Sequence, residues 1–249
     1  MKALFLICFL FISIDAWAQS PKAIENDIVK SYKKLTYWAV HSEYDSLEKA
    51  NDILGFKLKN YTTKSPSTIT YPFPLLSKDL DISSSTDGIF RIYSWDMLTG
   101  GTMHFFTNVF QYKSGNKIIS VLDTPKREGD NRPNYFKMYT FKMGSNTYYM
   151  PVYLTIGSTK DAWQGLQVFS IEKGKLKEAK IIKIATGLQS QLSYYYDFFS
   201  VVDWKVRPSI SFDARSMTIQ MPLIADKGKV THKFITYKLT GRYFEMVKN

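Results

Sequence analysis

The chain is 249 residues long, carries 33 Lys and Arg against 22 Asp and Glu for a formal net charge of +11, and holds a single cysteine. One cysteine rules out a disulfide-stapled framework, so a packed core must supply the stability, and this length is ample for one or two domains. The three histidines, His41, His104 and His232, are scattered without His-Glu-x-x-His spacing. There is no Gly-x-Ser-x-Gly elbow, and the Ser-x-x-Lys matches lack their partner motifs, so the zinc and serine hydrolase signatures are missing.

Residues 1–18 read as an export signal: Lys2 gives the positive start, Ala3 to Ile14 the apolar run, and Ala16-Trp17-Ala18 the small residues read by a signal peptidase. Cleavage after Ala18 leaves a periplasmic or secreted protein. Cys8 lies inside the apolar run behind Leu6-Ile7, not behind the small residues of a lipoprotein signal, so the mature chain is expected to have no cysteine and no lipid anchor. Lys2 and Asp15 cancel, so the mature protein keeps the net charge of +11. The apolar run is shorter than the roughly 20 residues needed to span a bilayer, and no transmembrane helix is expected elsewhere.

Residues 19–63 form the N-terminal helical segment. Ser20 can cap, Pro21 suits the first helical position, and Ile24, Ile28, Tyr32, Leu35 and Ala39 recur at helical spacing. A second start at Asp45, with Glu48 three residues on, precedes the stripe Leu47, Ala50, Leu54, Leu58 and Tyr61. Two helices follow; one long bent helix is the competing reading, because no glycine or proline separates the stripes. Residues 64–86 form a connector in which Ser65-Pro66, Tyr71-Pro72 and Phe73-Pro74 forbid a regular helix.

Residues 87–249 change character to runs rich in Tyr, Phe, Ile, Val and Thr, an antiparallel β domain. The expected strands are 89–95, 102–112, 117–122, 135–143, 148–156, 166–171, 175–184, 194–202, 209–212, 217–223, 231–239 and 243–247. Turns at 114–116, 144–146, 172–175 and 226–229 put Gly or Asn where hairpins need a positive φ. Two longer loops interrupt the meander. One, 123–134, carries Lys126, Arg127, Glu128, Asp130 and Arg132; the other, 157–165, carries Lys160, Asp161 and Trp163. The run Tyr194-Tyr195-Tyr196-Asp197-Phe198-Phe199 reads as a strand buried on both faces, or alternatively as a ring platform for sugars or a protein.

Several motifs reduce to simpler explanations. Gly100-Gly101 precedes strand-like residues where a phosphate loop would open a helix, and the alternating oxygens of Asp79 to Asp87 lack the central glycine and closing glutamate of a calcium loop. A transmembrane barrel is opposed by the helical segment and by strand lysines such as Lys137, Lys142, Lys180 and Lys238. Ser85-Thr86-Asp87-Gly88 followed by Arg91-Ile92-Tyr93, Trp95-Asp96 and Thr99-Gly100 resembles the end of a WD-type propeller blade. Asp87 and Asp96 stand two residues farther apart than in that pattern, however, and no further copy follows. Arg-Ile-Tyr-Ser-Trp-Asp at 91–96 with Thr-Gly-Gly-Thr-Met at 99–103 is similar to a segment of uncharacterised exported bacterial β-rich proteins. That resemblance implies a β-rich exported domain and names no activity.

The sequence predicts a mainly β (α+β) protein: two N-terminal helices, then an antiparallel meander of about a dozen strands, folded as a sandwich, open barrel or propeller-like array. Its expected role is a non-catalytic binding or envelope-associated domain whose partner is an anionic envelope polymer, a glycan or a protein. Trp95, Asp96, Arg127, Asp161 and Trp163 are the expected ligand-binding residues, with rings giving contact area and lysines giving attraction. No cofactor, metal or nucleic-acid partner is expected. The alternative is an envelope hydrolase using the strand-end carboxylates Asp87, Asp96 or Asp161.

Overall fold

Ser20 and Pro21 start the first helix as their chemistry requires: the Ser20 Oγ accepts from the Ala23 N–H at 3.3 Å, and Pro21 fills the first helical position. The computed structural model describes residues 19–123, 130–200 and 207–247. Helix α1 (Pro21–Val40) and helix α2 (Tyr44–Lys64) form an antiparallel pair that buries Ile24, Ile28, Leu35, Leu47, Leu54 and Leu58. The separation into two helices, made without glycine or proline, comes from Ser42, whose φ of 58° turns the chain. Asp45 does not cap α2: Glu43 holds that position without a side-chain bond, and Asp45 lies in the first turn, where its charge still complements the helix dipole. Among the described residues no helix is long and apolar enough to cross a membrane.

The proline-rich connector is not a loose link. It folds into short 3-10 turns at Pro66–Ile69 and Leu76–Lys78, and buries Phe73, Leu76 and Leu80 in the core beneath the helices. Two buried charged side chains fasten it. The Glu25 carboxylate accepts from Leu75 N at 2.7 Å, Leu76 N at 3.0 Å and Tyr71 OH at 3.0 Å. The Arg91 guanidinium donates to Thr68 O at 2.8 Å, Tyr71 O at 2.6 Å and Ser84 Oγ at 2.7 Å.

Sixteen strands follow among the described residues. β1 (Asp81–Ser84), β2 (Phe90–Asp96), β3 (Phe106–Ser114) and β4 (Lys117–Asp123) form a four-stranded antiparallel sheet. A second sheet contains β5 (Asn134–Met143), β6 (Asn146–Ile156), β7 (Asp161–Gln167), β8 (Phe169–Glu172), β9 (Lys175–Glu178) and the later β12 (Gln191–Asp197). A third contains β10 (Ile182–Ile184), β11 (Gly187–Gln189), β13 (Ser211–Asp213), β14 (Thr218–Ile224), β15 (Val230–Thr240) and β16 (Tyr243–Met246). The fold is thus mainly β, with helices first and three mostly antiparallel sheets, one a half-barrel. Among the described residues the one parallel pair is β10 with β16, which joins strands far apart in the chain. The expected hairpin turns form, and Gly115 shows why they need glycine: its φ is 58° in the tight β3–β4 turn.

Three apolar clusters stack as successive layers. The first lies between the helices and the four-stranded sheet, the second between that sheet and β5, β6 and β8, and the third between the second and third sheets. The four-stranded sheet is therefore covered on both faces. All of β2 except Asp96 is buried, including the polar Arg91 and Ser94.

Several element limits differ from expectation. The long loop at 157–165 is a tight turn, and β7 begins at Asp161, so Trp163 stands on a strand paired with β6 and β12. The strand expected at 102–112 begins only at Phe106, and that at 175–184 divides into β9 and β10. The tyrosine run is not buried on both faces: β12 ends its sheet and only its inner side is covered, so Tyr194 and Tyr196 are buried while Tyr195 is 39% exposed. The 85–96 segment pairs within a stacked sheet instead of closing a propeller blade.

Candidate functional site

β2 and β3 are joined by the loop 97–105, and its closure brings a carboxylate and an imidazole together. Asp96, the last residue of β2, accepts from the Leu98 N–H at 2.9 Å through one oxygen and contacts His104 Nδ1 at 2.5 Å through the other. Leu98 takes a φ of 57°, and at Gly100 an added Cβ would lie 1.9 Å from the Met103 carbonyl oxygen, so only glycine fits that turn. The loop is tied to the second sheet, because the His104 N–H donates to the Ile156 carbonyl at 3.1 Å and Asn131 Nδ2 donates to the same oxygen at 3.0 Å. The imidazole stacks on Phe106, with centroids 6.2 Å apart and planes 16° from parallel.

The β6–β7 turn supplies the opposite wall. Ser158 Oγ donates to Asp161 Oδ2 at 2.6 Å and accepts from the backbone N–H groups of Lys160 and Asp161. Asp161 Oδ1 accepts from the Tyr195 hydroxyl at 2.6 Å. These hydrogen bonds, that of Ser158 first and then that of Tyr195, hold the Asp161 carboxyl below its ordinary range, and the same contact with Asp161 raises the Tyr195 phenol. Trp163 and Tyr195 face each other across β7 and β12 with ring centroids 5.4 Å apart. The chain then turns at Phe198, whose N–H donates to Lys160 O at 2.7 Å, and the Arg207 guanidinium lies 4.3 Å over the Phe198 ring.

Between these walls lies an open cleft of about 320 Å³, within the size range of small-ligand sites. Ile156 and Phe198 give it an apolar floor, Thr102, Thr159 and His104 bring polar groups, and Phe199 projects at its lip, 58% exposed. When the imidazole is neutral and Nδ1 donates to Asp96, Nε2 is an acceptor; it has no hydrogen-bond partner among the described residues. The Ser158 hydroxyl is committed to Asp161, so it is not held as a nucleophile by His104.

The structure sorts the residues singled out by sequence. Asp96 borders the cleft through His104 and Asp161 stands behind its Ser158, whereas Trp163 pairs with Tyr195 on the strands beside it and is not among the lining residues. Trp95 does not present its ring to a partner: at 2% exposure it is sealed between α2 and the sheet, and its Nε1 donates to Asn51 Oδ1 at 3.2 Å. Arg127 lies outside the described residues, as do residues 1–18, expected from sequence to be an export signal, and the centre of the loop 123–134. Asp87 is at the other end of β2 from Asp96, on the order of 20 Å away along a seven-residue strand. It serves its own turn by accepting from Ser85 Oγ, Ile89 N and Tyr149 OH. With Asp87 remote and the Asp161 carboxyl held ionised, neither is placed to pair with Asp96 as the protonated acid of a glycosidase.

His104 was not among the expected binding residues, and Tyr195 and Phe199 entered only through the alternative reading of the tyrosine run as a ring platform. The available signal was the spacing of Asp96 and His104 across a glycine-bearing loop, which a search for zinc motifs passes over. Among the described residues no cluster of three His, Cys, Asp or Glu side chains forms. No family model matches this chain, and comparison with curated proteins and with solved structures finds no match either.

Proposed function

We propose that this protein is an exported, non-catalytic binding module that seats an acidic glycan in the cleft between the 97–105 loop, the β6–β7 turn and Phe198–Phe199. The observation that carries the reading is the pairing, in one cleft, of a carboxylate-held imidazole with a free Nε2 and a projecting Phe199 ring. Rings stack on the apolar faces of sugars, the His104 Nε2 accepts from a sugar hydroxyl, and the hydroxyls of Thr102 and Thr159 donate to hydroxyl or acid oxygens. The net charge of +11 attracts an anionic polymer over a longer range, and that attraction is screened by salt. The test is a panel of acidic and neutral polysaccharides in affinity electrophoresis at two salt concentrations. Retardation by an acidic glycan at low salt, lost in His104→Ala and Phe199→Ala, supports the proposal; no retardation by any glycan at low salt overturns it.

A second reading, an envelope hydrolase, is favoured by one observation, the 2.5 Å contact of His104 with Asp96, which orients an imidazole as general bases are oriented. It predicts turnover of a glycan or ester that disappears in both His104→Ala and Asp96→Asn. Turnover that survives both substitutions rejects it.

A further inference from the structure

A second recess lies on the outward side of the helical hairpin. α1 and α2 pack tightly towards the sheet through Leu35, Leu47 and Leu54, but they diverge outward to leave a groove of about 470 Å³. Tyr37, Trp38, Ala50 and Ile53 give it apolar walls, and Lys34, Lys49 and Lys57 rim it. Tyr37 and Ile53, both of which line it, are each 52% exposed. Scattered exposed apolar residues need no explanation, but here they converge on one concavity that is large enough for a ligand.

The charge of the groove indicates what would fill it. No carboxylate lines it. Lys57 is neutralised from outside, by Asp27 at 2.8 Å, which also accepts from Tyr61 OH at 2.7 Å. Lys34 and Lys49 have no ion-pair partner among the described residues. An apolar trough bordered by two uncommitted ammonium groups is complementary to a molecule with an alkyl chain and one anionic head. We propose that this groove binds a single long-chain carboxylate, its chain against Trp38, Ala50 and Ile53 and its head between Lys34 and Lys49. The lysine stems extend the apolar contact while their heads meet the carboxylate. This site shares no residue with the cleft around His104 and stands or falls independently of it.

The probe is dodecanoate, titrated calorimetrically into the full chain below its micelle concentration and at low salt, with dodecyltrimethylammonium as the cation of equal chain length. The expected result is saturable one-to-one binding of dodecanoate, at least tenfold tighter than that of the cation. Lys34→Ala/Lys49→Ala should weaken it about five- to tenfold, the size expected from two exposed charge contacts. Ile53→Asp should abolish it. All three side chains are exposed, so the variants keep the fold, as their circular dichroism would verify; Lys49→Gln, which keeps the stem, should lose about threefold. Non-saturable binding, equal binding of the cation, an unchanged double variant, or association with anionic vesicles but not with free dodecanoate would each overturn the proposal.

Discussion

Truncating Glu25 should unfasten the connector from the helices and show that residues 66–80 belong to the core. Its side chain is 1% exposed and accepts three hydrogen bonds, from Leu75 N, Leu76 N and Tyr71 OH. A hydrogen bond to a charged group contributes about 1.5–3 kcal/mol, and a buried donor left without a partner costs about 1–3 kcal/mol. The Leu76 N–H is buried, whereas water can reach the sites of the Leu75 and Tyr71 donors, so Glu25→Ala should cost about 3–5 kcal/mol. For a protein of this size each kcal/mol moves Tm by about 2–4 °C, which gives a fall of about 10 °C. Glu25→Gln keeps one acceptor oxygen for the two N–H groups and offers an N–H to the tyrosine oxygen, so its loss should be about 1–2 kcal/mol. Urea unfolding followed by tryptophan fluorescence measures both. A loss below about 1 kcal/mol in Glu25→Ala, or equal losses in the two variants, would refute the reasoning.

Other consequences follow from the site. Gly100→Ala places a Cβ against the Met103 carbonyl, so it should open the 97–105 loop, displace His104 and weaken cleft binding, while urea unfolding shows a loss of no more than about 2 kcal/mol. Asp161→Asn weakens the hydrogen bond, and removes the charge, by which Asp161 raises the Tyr195 phenol, and absorbance titration should show that phenol falling back towards its ordinary value of 10.0; no change would mean that the contact is not made in solution. The sign of the linkage is set by the two shifts. The lowered Asp161 carboxyl adds stability above its unfolded pKa, lost as pH falls through the folded value; the raised Tyr195 phenol adds stability below 10.0, lost as pH rises through its folded value. Trp95→Phe leaves the buried Asn51 carbonyl oxygen short of a donor and should cost about 2 kcal/mol in urea unfolding, with cleft binding unchanged.

Local chemistry made much of the fold legible. The Ser20-Pro21 start, the helical stripes and the glycine-bearing hairpin turns are decided by neighbours within a few residues, and each formed where the sequence placed it. What depends on layers was not legible. Arg-Ile-Tyr-Ser-Trp-Asp alternates like a half-exposed strand, yet helices cover one face of β2 and the second sheet the other, so Arg91, Ser94 and Trp95 are all buried. The prolines of the connector rule out an α-helix but say nothing of burial, which came from carboxylate and guanidinium partners at Glu25 and Arg91, far away in sequence. Tyr195 and Trp163 are exposed because they share the outer face of β12 and β7, which no other layer of the described residues covers, a fact of tertiary packing. The cleft itself was legible only at its margin: Asp96 and Asp161, which stand behind His104 and Ser158, could be named, but His104 joins Asp96 in a loop closed on the Ile156 carbonyl of another sheet.

The measurement that bears most directly on the proposed function is NMR mapping of ¹⁵N-labelled protein titrated with short acidic oligosaccharides. The account predicts saturable shifts at the His104 ring nitrogens, Thr102, Thr159 and Phe199, with the Trp95 indole unmoved. Shifts absent from those residues, or spread over surface lysines and erased by moderate salt, would contradict it.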